Sequence, residues 1–126
     1  RVACRDTVIG WSCSQRKKNL PLVANNVRFL ILPWVQVEHL ASKVLAANIR
    51  VLPGDWLSFY CQPLVLLETF VDLGRFRGTC YRAANWQYVG ETQGIAKRGN
   101  RHHRHDQPKG VFLYPLSRNY RERLND

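Results

Sequence analysis

The chain has 126 residues, 45% of them hydrophobic, which is one domain's worth of sequence and too apolar for a disordered tail. Lysine and arginine total 19 against 9 acidic residues, so the net charge is +10 and the isoelectric point about 10.0. No apolar run approaches the roughly 18 residues that span a bilayer, so the expectation is a soluble, cytoplasmic domain without membrane contact. A positive excess of this size favours polyanions, because counterion release from nucleic acid supplies a driving force independent of sequence. Cys4, Cys13, Cys61 and Cys80 show no C-x-x-C spacing and read as reduced, mostly buried thiols, neither a disulfide framework nor a zinc site. The lack of methionine and the opening on Arg1 lead to the expectation that 1–126 is the C-terminal part of a longer domain.

Along the chain, residues 7–12 (TVIGWS) carry a β-branched pair and an aromatic and predict a strand. Residues 15–26 hold Arg16-Lys17-Lys18, Pro21 and Asn25-Asn26, a polar, turn-rich loop. Residues 27–32 (VRFLIL) form an apolar run of strand length, the kind covered on both faces, and Pro33 stops it. Helical spacing follows over residues 37–51, with Val37, Leu40, Ala41, Val44 and Leu45 on one broad face; Pro53-Gly54 is expected to end the helix, with a further helical turn over Trp56–Tyr60.

Residues 64–71 (LVLLETFV) predict a second buried strand. A short helix is expected around 79–85, with further strands at 88–92 and 111–114. Between those last two lies a basic, histidine-rich loop, 96–110. The order of elements describes an α/β layer fold with a partly parallel sheet.

Residues 32–45 (LPWVQVEHLASKVL) and 81–86 (YRAANW) resemble the cofactor loop and the tyrosine motif of Gcn5-related N-acetyltransferases. The resemblance implies a mixed sheet with flanking helices, lacking its N-terminal elements. It further implies that Gln36, His39, Leu40 and Ala41 would offer backbone N–H groups to the pyrophosphate of acetyl-CoA or another acyl-CoA, with His39 at the place of the motif's first glycine. Tyr81 would be the general acid and Glu68, or Glu91, the base. The residues alone also allow Tyr81 to pack on Trp86, and Glu68 to pair with an arginine such as Arg77 or Arg82. Glu68 and Asp72, four apart, would share one strand face.

Over nearly its whole length the chain is similar to a second family, the Druantia anti-phage proteins of the DruA type and related domains upstream of DDE transposases. The segments are Ile9-Gly10-Trp11-Ser12, Asn26 through Val35, His39-Leu40-Ala41-Ser42, Leu67 through Asp72, and Arg75 through Trp86. This resemblance implies phage defence or DNA mobility, with nucleic acid, a transposase domain or other defence proteins as partners and no cofactor. It implies no particular reaction.

In the loop, Lys97, Arg98, Arg101, Arg104 and Lys109 suit a flexible arm that lies along phosphates, positioning without reading bases. His102, His103, His105 and Asp106 form a weaker metal set, since the neighbouring arginines repel a cation.

Overall fold

The computed structural model describes residues 2–26, 39–73, 78–92 and 108–126, and the backbone of 96–98 and 101–103. The expected strand at 27–32 lies outside the described residues, as do Gln36, Arg77 and Arg104.

The elements in chain order are α1 (Ala3–Ile9), α2 (Cys13–Asn19), a 3₁₀ turn (Leu20–Leu22), β1 (Val23–Asn26), α3 (Leu40–Tyr60), β2 (Leu66–Val71), α4 (Thr79–Ala83), β3 (Gln87–Glu91), β4 (Ala96–Arg98), β5 (Arg101–His103), β6 (Gly110–Pro115) and α5 (Tyr120–Leu124). Four strands form a mixed sheet in the order β1-β2-β6-β3. β1 runs parallel to β2, while β6 is antiparallel to both of its neighbours.

The two central strands are apolar because helices cover both faces of the sheet. On one face Leu66, Val111 and Leu113 pack with Ile9, Trp11, Tyr120 and Leu124. On the other Leu67, Val71 and Phe112 pack with Leu45, Tyr81, Ala84 and Trp86. Burial of these side chains, about 1.5–3 kcal/mol each for the large ones, is the main stabilising term.

Several expectations are corrected. Residues 7–12 are not a strand: α1 runs through Ile9, and Gly10 closes it at φ 80° with its N–H donating to the carbonyl of Asp6. Propensity loses here to packing, since one helical face buries Arg5, Asp6 and Ile9. Residues 15–26 are not a loop either. Ser12 and Gln15 form a reciprocal capping box that starts α2, and β1 follows.

α3 does not stop at Pro53-Gly54 but continues to Tyr60, carried past the proline by Leu52 and Trp56 packed against the sheet. The cysteines are not mostly buried. Cys13 and Cys61 are exposed and Cys4 and Cys80 half-buried. Within the basic loop, residues 96–98 and 101–103 pair as an antiparallel hairpin.

Candidate functional site

Strand β2 divides the candidate residues between two faces. Successive side chains on a strand point to opposite sides, and the contacts of Glu68 and Thr69 show which side each takes. Glu68 is reached by Arg5 of α1, whose Nη1 donates to Oε2 at 2.9 Å and to Oε1 at 3.1 Å. Asn25 on β1 adds a donor to Oε1 at 3.2 Å. Thr69 faces the other way, 3.4 Å from the hydroxyl of Tyr81 on α4.

Glu68 and Tyr81 therefore stand on opposite sides of the sheet, and the fold does not bring the expected base to the expected acid. Among the described residues the arginine that pairs with Glu68 is Arg5, not Arg82; Arg77 lies outside them. Arg82 instead lies 5.3 Å over the rings of Tyr88 and Phe112. Asp72 falls one residue beyond the end of β2, so the two carboxylates do not share a strand.

The Arg5 side of the sheet holds a closed network. Arg5 also bonds the Oδ1 of Asp6 through Nε and Nη2, Trp11 Nε1 donates to the same oxygen at 2.9 Å, and Arg16 reaches Oδ2 at 3.5 Å. Burial pushes the Asp6 carboxyl up, but the Trp11 donor and the Arg5 and Arg16 charges outweigh it and hold the group below its ordinary 3.8. Arg5, Asp6, Trp11, Arg16 and Glu68 are engaged with one another, which suits a structural role that ties α1, α2 and the sheet together.

The Tyr81 side is more open. Asn26 Nδ2 donates to the Tyr81 hydroxyl at 3.3 Å, and the ring meets Trp86 edge-on at 5.2 Å, the packing expected from sequence. Burial raises the phenol above its ordinary 10.0 against the opposing Thr69 hydrogen bond, so Tyr81 keeps its proton at neutral pH. Burial likewise pushes the Cys80 and Cys4 thiols up, which leaves them poor nucleophiles.

Between α3 and this face lies an apolar cleft of about 210 Å³, lined by Asn26, Leu45, Asn48, Leu52, Trp56 and Trp86. The indole Nε1 of Trp86 is buried without a hydrogen-bond partner among the described residues. At the mouth of the expected cofactor loop, His39 caps α3 at φ 57°, a left-handed conformation that glycine favours, with Leu40 and Ala41 beginning the helix. His39 thus holds, with a side chain, a conformation more usual for glycine.

The basic segment is the third feature. Thr92 N donates to the Lys109 carbonyl at 2.8 Å and Lys109 N to Thr92 Oγ1 at 2.9 Å, which fixes the root where β3 and β6 end. The β4–β5 hairpin pairs Lys97 with His102 and Arg98 with Arg101. Lys109 stays at the root, half-buried. Among the described residues no group of three His, Cys, Asp or Glu side chains could hold a metal, and no helix is long and apolar enough to cross a membrane.

Sequence reasoning missed Arg5, Asp6 and Trp11 as a unit. The signal available was only Gly10, which ends the helix that carries Arg5 and Asp6 and was concealed by a strand reading.

In comparisons with known proteins, a family model described as Druantia protein DruA matches residues 1–104. No curated protein and no solved structure matches the chain.

Proposed function

The chain belongs to the DruA family, and from that premise we propose that it is a nucleic-acid-binding domain with a role in anti-phage defence. The family supplies the tie to defence. The nucleic-acid reading rests on one observation, the register of the β4–β5 hairpin. Arg98 stands opposite Arg101, and Lys97 opposite His102. Like charges directly opposite on antiparallel strands are destabilising, so a hairpin with this register gains from an anion that bridges both strands. A chain of net charge +10 has no surplus of acids to provide one.

The phosphate backbone of nucleic acid fits that need. Lys97, Arg98, Arg101 and Arg104 would neutralise phosphates, with Lys109 at the root, and would position the chain without reading bases. The association of related domains with DDE transposases belongs to the same reading, since a phosphate-binding arm serves DNA mobility as well as defence. A working acyl transferase with Glu68 as its base is favoured less, because Glu68 and Tyr81 would have to act across the sheet.

The test is binding of single- and double-stranded DNA over a salt series, comparing the chain with the K97A/R98A/R101A/R104A variant. Each phosphate contact contributes a slope of about −0.9 in log affinity against log salt on duplex DNA. The variant is expected to lose a slope of about 3.6, four times that value. An unchanged slope would overturn the role of the hairpin.

A further inference from the structure

The cleft between α3 and the sheet takes no part in phosphate binding by the hairpin, yet its walls have a distinct chemistry. Two indoles line it, Trp86 ahead of β3 and Trp56 on α3. Trp86 is almost fully buried and Trp56 half-buried. Leu45 and Leu52 extend the apolar surface, and two side-chain amides, Asn26 and Asn48, stand among them. Among the described residues, none that lines the cleft is charged.

These walls restrict what can enter. An engineered apolar cavity of about 150 Å³ takes benzene, and drug-sized pockets begin at about 300 Å³. At about 210 Å³ the cleft suits one flat ring system rather than an extended ligand. The inserted part must be neutral, since a charge buried without a partner is strongly disfavoured. Indoles favour an aromatic ring laid against them, and amides offer both a donor and an acceptor to its edge. Trp86 also carries an indole N–H without a hydrogen-bond partner among the described residues. A ring with acceptors on its edge therefore suits this wall better than a hydrocarbon.

A nucleobase meets each condition, being neutral, flat and edged with donors and acceptors. Its charge lies outside, on the phosphate, which a chain of net charge +10 attracts. We propose that the cleft receives one unpaired nucleobase of the strand whose phosphates lie along the hairpin. This rests on the nucleic-acid reading and narrows its ligand to single strands or duplexes with an extruded base. Stacking tolerates any sequence, because every base has a π-face. Leu67 in the cleft pairs with Tyr114 of β6, four residues along from Gly110, where β6 leaves the basic loop. Four residues of strand span about 14 Å, so a short stretch of nucleic acid reaches both places.

The test measures binding of the unmodified chain to oligothymidylate and to a strand of equal length whose nucleotides lack bases. Both carry the same phosphates, so the hairpin contributes equally to each. One inserted base is expected to favour oligothymidylate by about 5- to 160-fold, the range that stacking of a single base covers. Equal affinities would overturn the proposal. Ala24→Leu, at a half-buried position on the cleft, and Asn48→Phe, at an exposed one, both fill the space. Each should bring the two strands close to parity. Phe59→Ser removes an exposed ring outside the cleft and should leave the preference intact. A preference that survives both filling variants, or that only Phe59→Ser abolishes, would overturn the cleft as the site. Asn48 is exposed, so thermal unfolding of Asn48→Phe should match the parent even where Ala24→Leu is destabilised. A salt series keeps the two claims apart. A steep slope with equal affinities for the two strands defeats the cleft alone. A base preference with an unchanged slope in K97A/R98A/R101A/R104A defeats the hairpin alone.

Discussion

Arg5 and Glu68, 63 residues apart in sequence, meet through a single guanidinium nitrogen that lies 2.9 and 3.1 Å from the two carboxylate oxygens. Both side chains are almost fully buried. This pair joins α1 to the central strand of the sheet and explains why a helix lies where local propensity favours a strand. Removing one partner of a buried pair leaves the other charge uncompensated and costs about 3–5 kcal/mol. Arg5→Ala should therefore be severely destabilised, whereas R5M/E68L should recover much of the loss. Chemical denaturation of the two variants checks this, and equal loss in both would contradict it.

Asp6 sets the acid limit of the same network. Its carboxyl is held below the ordinary 3.8 in the folded chain, and in the unfolded chain it returns to that value. The stabilisation is complete above the unfolded value and disappears as pH falls through the lower folded one. Below about pH 4 the parent should therefore lose stability more steeply than Asp6→Asn, which should already be less stable at pH 7. Denaturation midpoints between pH 2 and 7 measure both slopes. Parallel curves would exclude Asp6 from the acid limb.

Gly78 precedes α4 at φ 70°, and a Cβ added there would lie 2.6 Å from Cζ of the buried Phe112 ring. The left-handed backbone costs a non-glycine residue roughly 1–2 kcal/mol, and crowding a packed core adds about 1–3 kcal/mol. Gly78→Ala should lose about 2–5 kcal/mol by denaturant unfolding. A loss under 1 kcal/mol would mean that the ring yields freely.

Pro53 lies in the interior of α3, where the ring removes one backbone donor and crowds the preceding turn at a typical cost of about 3 kcal/mol. Part of that is offset because proline restricts the unfolded chain by about 0.4–1 kcal/mol. Pro53→Ala should raise stability by about 2–2.6 kcal/mol in thermal melts. Destabilisation would instead show that packing of Leu52 and Trp56 on the sheet depends on a bend at the proline.

The parts legible in the sequence are those whose burial is apolar. β2 and β6 stand close to their expected positions because LLETFV and GVFLYP are buried on both faces. α4, β3 and the Tyr81–Trp86 contact were equally readable from their turn residues and aromatic spacing. α1 was not, since its buried face includes Arg5 and Asp6, which a hydropathy pattern reads as solvent-exposed. α2 was concealed by its run of cations, although Ser12 and Gln15 spelled a capping box. The partner of Glu68 was beyond reach, because nothing local in LLETFV selects Arg5 over a nearer arginine.

Phosphate binding is the central claim, and the most direct measurement is the salt dependence of duplex DNA affinity for the unmodified chain. Four contacts, from Lys97, Arg98, Arg101 and Arg104, predict a slope of about −3.6 or steeper, which is a fall of more than about 100-fold between 50 and 200 mM salt. No measurable binding at 50 mM, or a slope near zero, would contradict the account despite the net charge of +10.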